Sequence, residues 1–241
     1  MQPQVAPFIV TKCLDKINVL FRDEHILVID KPTGLLSLSG KHPLNIDSVH
    51  YRLVQEYPNC TLIHRLDFGT SGIMLLAMNK QITALLCKQF SDRKVSKYYT
   101  ALLHGSLDSD FGLIDCGIAK DIDNFPLMKL CQDTGKPAQS QFRVLSRYIQ
   151  AVDDNFYLDD IRAGDRQVSL VEFEPVTGRT HQLRLHSQHL GHPILGCDLY
   201  ATDEAYFMSS RLMLHASKLC FEHPVSGVRM LIESKSPFCS D

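Results

Sequence analysis

The sequence predicts an α+β fold: a single domain with a mixed, mainly antiparallel central sheet flanked by helices and loops. Three observations predict it. Apolar runs of strand length outnumber runs with helical spacing. Neighbouring strand runs are joined by short turns, whereas parallel strands need long crossovers. No linker-like stretch interrupts the 241 residues, a length that suits one large domain or two small ones.

Taken in order, residues 1–20 read as an N-terminal arm, because Pro3 and Pro7 discourage early regular structure. Residues 21–241 then form the one domain. His25 to Ile29 is a buried strand, stopped by Lys31-Pro32-Thr33-Gly34. Val49 to Tyr57 suits a short helix, and Gly72 to Met78 a second buried strand. Ile82, Leu85, Leu86 and Phe90 recur at helical spacing, which predicts a helix over Lys80 to Arg93. Strands follow at Tyr98 to Leu103, Gln141 to Leu145, Phe156 to Ile161 and Val168 to Phe173, with a long surface loop at Pro126 to Pro137. Thr180 is the expected N-cap of a helix that runs to Leu190 and closes on Gly191. Two late strands lie near Leu212 to His215 and Leu219 to Glu222.

Composition excludes several classes. With 44% hydrophobic residues the chain can bury a core, and 25 basic against 27 acidic residues rule out a disordered polyelectrolyte. The same balance excludes a protein that coats nucleic acid by bulk positive charge. Locally the balance breaks. Residues 61–100 hold six bases (Arg65, Lys80, Lys88, Arg93, Lys94, Lys97) and two acids (Asp67, Asp92), whereas 151–160 hold four Asp and no base. A positive face near Asp67 and an acidic back are therefore expected. No apolar run reaches the ~18 residues of a membrane helix, and no secretory signal opens the chain. A soluble, cytoplasmic protein is expected. The eight cysteines are scattered without a C-x-x-C pair, several inside apolar runs such as Leu85-Leu86-Cys87, which suits buried free thiols in a reducing compartment.

Three clusters concentrate chemistry. In His64-Arg65-Leu66-Asp67-Phe68-Gly69-Thr70-Ser71-Gly72, small residues permit a tight turn, and alternation puts Arg65 and Asp67 on one side. A polar hairpin loop with a local ion pair explains this composition about as well as a functional loop does. In Thr177 to His186, a turn opens a helix bearing Arg179, His181 and Arg184; His181 and Arg184 share a face, and the helix start attracts anions. An exposed basic helix end is the plainer explanation. In Lys97-Tyr98-Tyr99, a strand turns its two tyrosines to opposite faces, so one can be core while the other lines a cleft.

Other chemistries fit poorly. His181, His186, His189 and His192 lack the H-E-x-x-H spacing and any carboxylate among them, so no metal is expected. Ser71 lacks the G-x-S-x-G setting of a hydrolase nucleophile. No phosphate-binding glycine motif implies a nucleotide cofactor.

Together the clusters resemble the RluA family of RNA pseudouridine synthases. His64-Arg65-Leu66-Asp67 with Thr70-Ser71-Gly72 is similar to the family signature that holds its catalytic aspartate. Ile29-Asp30-Lys31-Pro32 with Gly34, Lys97-x-Tyr99-x-Ala101 with Gly105, and Thr177 to Arg184 resemble three further motifs. Gly191 to Gly196 and Leu214-His215-Ala216 through His223-Pro224 resemble the late segments, all in family order. One departure stands out. The family usually places Asp directly after the Gly of P-I-L-G; here Cys197 follows Gly196, and Asp198 comes one place later.

The resemblance implies the pseudouridine synthase fold and an isomerase that needs no cofactor. It breaks the C1′–N1 bond of a flipped-out uridine and rejoins the base through C5. It implies Asp67, Tyr99 and Arg184 as catalytic residues. Asp67 would act on the sugar, by bonding C1′ or by taking a ribose proton; Tyr99 would stack on the uracil; Arg184 would keep the carboxylate ionised and oriented. RNA binding falls to Arg65, His64, Arg179 and His181, with Arg65 filling the gap left by the flipped base. Thr70, Ser71, Gly72 and Leu183 shape the site. The implied partners are stem-loops of 23S rRNA, tRNA or both, with no membrane and a monomeric enzyme; a tRNA-only enzyme and a catalytically silent RNA-binding module are the alternatives. The short N-terminal arm leaves no room for the S4-type domain that many family members carry.

Overall fold

Ile26 to Ile29 and Ile73 to Ala77 are apolar at every position, so neither run has a face to show to water. Both are almost wholly buried in the computed structural model, which describes residues 9–124, 126–151 and 165–239. The chain divides into two compact units: Met1–Val95 with Phe221–Ser234, and Ser96–Cys220 with Lys235–Asp241.

The first unit holds β1 (Asn18–Arg22), β2 (Ile26–Lys31), α1 (Val49–Leu53), β3 (Thr61–Leu62), β4 (Ser71–Ala77) and α2 (Lys80–Ser91). β2 pairs antiparallel with β1 and with β4, in a register that sets Lys31 opposite Gly72 and Ile26 opposite Ala77. β3 pairs antiparallel with β4, so residues 63–70 form the loop of a hairpin. Asp23 Oδ1 shapes the β1–β2 turn by accepting the N–H groups of His25 and Ile26, both at 2.8 Å. Asn79 caps α2 by accepting the Ile82 N–H at 3.0 Å, a contact typically worth about 1 kcal/mol.

The second unit holds β5 (Ser96–His104), β6 (Phe111–Asp115), β7 (Ile118–Lys120), β8 (Met128–Leu130), β9 (Gln139–Ala151), β10 (Asp165–Pro175), α3 (Gln182–His189), α4 (Asp203–Phe207) and β11 (Leu214–Glu222), whose last two residues belong to the first unit. Its strands pair antiparallel in the order β11, β5, β10, β9, β6. One sheet face buries Ala101, Leu103, Phe142, Val171 and Phe173 with Leu183 and Leu185 of α3. Fully burying a side chain such as Leu103, Val171 or Phe173 contributes roughly 1.5–3 kcal/mol. Leu102, Val168, Leu195, Ala205 and Met208 form a smaller cluster. β12 (Arg229–Glu233) returns to the first unit, where His223 meets Asp23 at 2.9 Å and Ser234 donates to Asp30 at 2.7 Å.

Several sequence expectations are corrected. The first helix stops at Leu53 rather than Tyr57; residues 54–56 are a turn, and Pro58 disfavours helical geometry in Tyr57. α2 stops at Ser91 rather than Arg93, since Arg93 is left-handed at φ 57°; of the residues at helical spacing, Ile82 and Leu86 are buried and Leu85 is exposed. α3 starts at Gln182, not after a Thr180 cap, because His181 takes φ 55°; Gly191 closes it at φ 80° as expected. The two late strands are one, β11, with an irregularity between Ala216 and Lys218. The Pro126 to Pro137 loop contains β8, because Met128 to Leu130 pairs with β7. The expected strand at Phe156 to Ile161 and the acidic run at 153–160 lie outside the described residues.

Candidate active site

Asp67 sits half-buried in the β3–β4 hairpin loop of the first unit, where residues 65–67 follow no regular structure. A loop without ladder hydrogen bonds needs other partners for its backbone, and the segment after β2 supplies them. Ser37 Oγ donates to the Leu66 carbonyl at 2.6 Å and accepts the Leu66 N–H at 3.1 Å. The Phe68 carbonyl accepts from Lys31 Nζ at 3.2 Å and from Gly34 N–H at 3.0 Å. Thr33 Oγ1 donates to the Gly69 carbonyl at 2.7 Å. The Asp67 carbonyl accepts the Thr70 N–H at 3.1 Å, which closes the turn. The backbone on both sides of Asp67 is therefore pinned, and its side chain has no part in that bracing.

Lys31 is the cation at the base of this brace and is fully buried. A buried ammonium is costly unless its donors are satisfied. Lys31 Nζ also donates to the carbonyls of Pro32 and Leu35, at 2.9 and 2.7 Å.

The other expected residues of this loop divide by role. His64 Nε2 accepts the Leu75 N–H at 3.1 Å, and its ring stacks on Phe90 with centroids 5.2 Å apart. The ring thus ties the loop to β4 and α2. Arg65 is exposed. Thr70 and Ser71 are buried, and Gly72, the second residue of β4, takes φ 112°, so all three shape the turn.

In the second unit, Tyr99 lies half-buried on β5, between Phe173 of β10 and Ala216 of β11, and packs against the main core. Tyr98 points to the opposite face, as alternation requires. Burial first, and then the Glu174 carboxylate, push its phenol above the usual range. Lys97 shares the strand face of Tyr99, and burial holds its ammonium below the ordinary lysine value. A Cβ on Gly178 would stand 3.8 Å from Lys97 Nζ, so this lysine reaches the turn that precedes α3.

Gln182 organises that turn. Its Oε1 accepts from the Arg179 N–H at 2.9 Å and from Thr177 Oγ1 at 2.8 Å. Its Nε2 donates to the Gln139 carbonyl and to Ser140 Oγ, both at 2.9 Å. This buried amide fixes the turn before α3, whose start has no side-chain cap, so the cap expected of Thr180 is absent. Arg179 Nε donates to the Pro137 carbonyl at 3.0 Å, and His181 Nδ1 lies 2.7 Å from Tyr200 Oη. Leu183 is buried in the core.

Arg184 is buried at 4% exposure, which places a guanidinium where it needs partners. Its Nη2 pairs with Asp198, its Nε lies 3.2 Å from Cys197 Sγ, and its carbon sits 5.3 Å from the Tyr200 ring centroid. Gly196 makes this turn possible. It is left-handed at φ 68°, and a Cβ there would lie 1.9 Å from the Arg211 carbonyl.

The remaining C-terminal histidines each engage the protein separately. His186 Nδ1 lies 3.0 Å from Ser140 Oγ, His189 Nε2 3.5 Å from Cys116 Sγ, and His192 Nδ1 2.8 Å from the His104 carbonyl. Among the described residues no three His, Cys, Asp or Glu side chains form a group able to hold a metal. All eight cysteines are free, but the expectation that they are buried holds only for Cys60, Cys116 and Cys197, and Cys87 is exposed.

Sequence reasoning did not single out Ser37, Gln182 or Tyr200. Ser37 and Tyr200 carry no local signal, since their partners are distant in sequence. Gln182 stood inside a recognised motif without a stated role.

A family model described as RNA pseudouridylate synthase matches residues 25–189. The chain is 43% identical over 220 residues to the dual-specificity RNA pseudouridine synthase RluA of Yersinia pestis, covering 91% of this chain and 99% of that one. It is 43% identical over 209 residues to the protein of the same name from Vibrio vulnificus (87% of this chain, 79% of that one). Against the Escherichia coli K12 protein of that name, identity is 39% over 220 residues, covering 91% and 93%. Among solved structures, human RNA pseudouridylate synthase domain containing 1 superposes with a TM-score of 0.76 at 28% identity, covering 95% of this chain and 87% of that one.

Proposed function

Because the chain belongs to the RNA pseudouridylate synthase family, it is an isomerase that converts uridine in RNA to pseudouridine, and we propose that it acts on stem-loops of both 23S rRNA and tRNA. The relatives above, similar over most of their length, carry the name dual-specificity. In this reading the domain is 21–241, preceded by a short arm, and the enzyme is a cytoplasmic monomer. No described helix is long and apolar enough to cross a membrane.

The braced loop around Asp67 is the observation that carries the reading. Isomerisation breaks the C1′–N1 bond, turns the uracil, forms a C1′–C5 bond and releases the C5 proton to solvent, while the freed N1 takes up a proton from solvent. A carboxylate acting on the sugar must meet one carbon of a flipped nucleotide, and orientation of this kind supplies much of a catalytic advantage. Pinned peptides on both sides of Asp67 provide it. Both routes, attack on C1′ and removal of a ribose proton, use the ionised carboxylate. Tyr99 stacks on the base, Arg184 acts on the charge of the site, and exposed Arg65 fills the gap in the RNA. Arg179, His181 and His64 contact RNA from side chains already steadied by Pro137, Tyr200 and Leu75.

The test is tritium release from C5-labelled uridine, run separately on an rRNA stem-loop and a tRNA anticodon stem-loop. Release from both supports the reading. Release from tRNA alone replaces it with the tRNA-only alternative. Binding without release from either marks a silent RNA-binding module.

A further inference from the structure

We propose that Asp198 is a positioning residue for Arg184, supplying from one place along the chain the negative charge that Cys197 does not. The proposal deepens the reading of Arg184 as a catalytic residue and rests on it. A planar guanidinium needs its edge, its plane and its charge satisfied at once, and three neighbours contribute to that work. Tyr200 covers the ring face at 5.3 Å and is itself steadied by His181 Nδ1 at 2.7 Å and the Met128 N–H at 2.9 Å. Cys197 Sγ accepts at the Nε edge at 3.2 Å. A thiol sulfur is a weak acceptor, and it brings no carboxylate charge to a cation with 4% exposure. Asp198 brings such a charge to Nη2, with its own side chain 60% exposed.

The exposure separates positioning from folding. A carboxylate that reaches the guanidinium from the solvent side can be replaced without opening the core, whereas Cys197 and Tyr200 are themselves buried. The geometry also specifies a rescue. Cys197 Sγ already touches Nε, so an Asp at 197 puts a carboxylate on the neighbouring edge of the same guanidinium.

The experiment compares the parent, Asp198→Asn, Asp198→Glu and the double variant Cys197→Asp/Asp198→Asn. It measures kcat and KM by tritium release, with thermal unfolding as a control. It also follows the Arg184 Nε–H signal by NMR, identified by its loss in Arg184→Lys. Asp198→Asn is expected to lower kcat on the order of 10- to 100-fold with little change in KM. It should also broaden the Arg184 signal. The double variant is expected to recover most of kcat and to sharpen the signal again. If the double variant does not fold, Asp198→Glu takes its place, with retained kcat as the supporting result and a loss equal to that of Asn as the overturning one. An unchanged kcat, a rise confined to KM, or a kcat loss that no carboxylate recovers overturns the proposal. A parent that releases no tritium from any stem-loop overturns the catalytic reading instead, while the NMR comparison still reports whether Asp198 holds Arg184; an unchanged signal in Asp198→Asn overturns that hold.

Discussion

Ser37 Oγ makes hydrogen bonds to both the carbonyl and the N–H of Leu66, at 2.6 and 3.1 Å, so one buried hydroxyl holds both backbone groups of the residue before Asp67. Ser37→Ala leaves both groups without that partner in a site with little water access. Leaving buried polar groups unpaired costs about 1–3 kcal/mol. Chemical denaturation should show a loss of that size, and tritium release should fall further than the small rise in unfolded protein accounts for. Activity that simply follows the folded fraction would mean that Ser37 serves stability alone.

Asp67→Asn keeps the shape of the side chain and removes its charge. Since the brace uses the backbone around Asp67 and not its carboxylate, the fold and RNA affinity should stay close to those of the parent while turnover is abolished. Gel-shift titration beside the tritium assay checks this. Parallel loss of binding and turnover would assign the residue a structural role.

His186 carries the pH dependence. Burial holds its imidazole at about 4, below its ordinary 6.5, and it is wholly enclosed. The folded protein keeps it neutral, and the unfolded chain binds a proton below 6.5. Stability from this group is therefore complete above pH 6.5 and is lost as the pH falls through the window down to about 4. The loss amounts to roughly 2–3 kcal/mol. Denaturation at pH 7 and pH 4.5 should show it in the parent, and His186→Gln should show a difference smaller by most of that amount. Equal pH sensitivity in both proteins would sink the assignment.

Salt should weaken RNA binding with a modest slope. The formal charge is −2, and the exposed bases near the Asp67 loop in sequence are few, among them Arg65, Lys80, Arg93 and Lys94. A plot of log affinity against log salt is expected to have a slope of about −2 to −4, corresponding to a handful of phosphates. A slope near −8 would instead mean broad electrostatic coating.

The sequence by itself determined the strands with no polar face, the free cysteines and the run from His64 to Gly72 that places Asp67. These are legible because burial and turn chemistry are written in neighbouring residues. Helix ends were less legible. The start of α3 depends on the left-handed turn at His181 and on Gln182 reaching back to Arg179, and neither follows from propensity. Only the tertiary structure decided how the site residues are held. Ser37 lies 29 positions from Leu66, and Lys31 lies 37 from Phe68. In the same way, Cys197 and Asp198 are a puzzle as letters. Folding resolves it, because a buried guanidinium selects its partners by direction and charge in space, and adjacent residues in a turn can reach different edges of it.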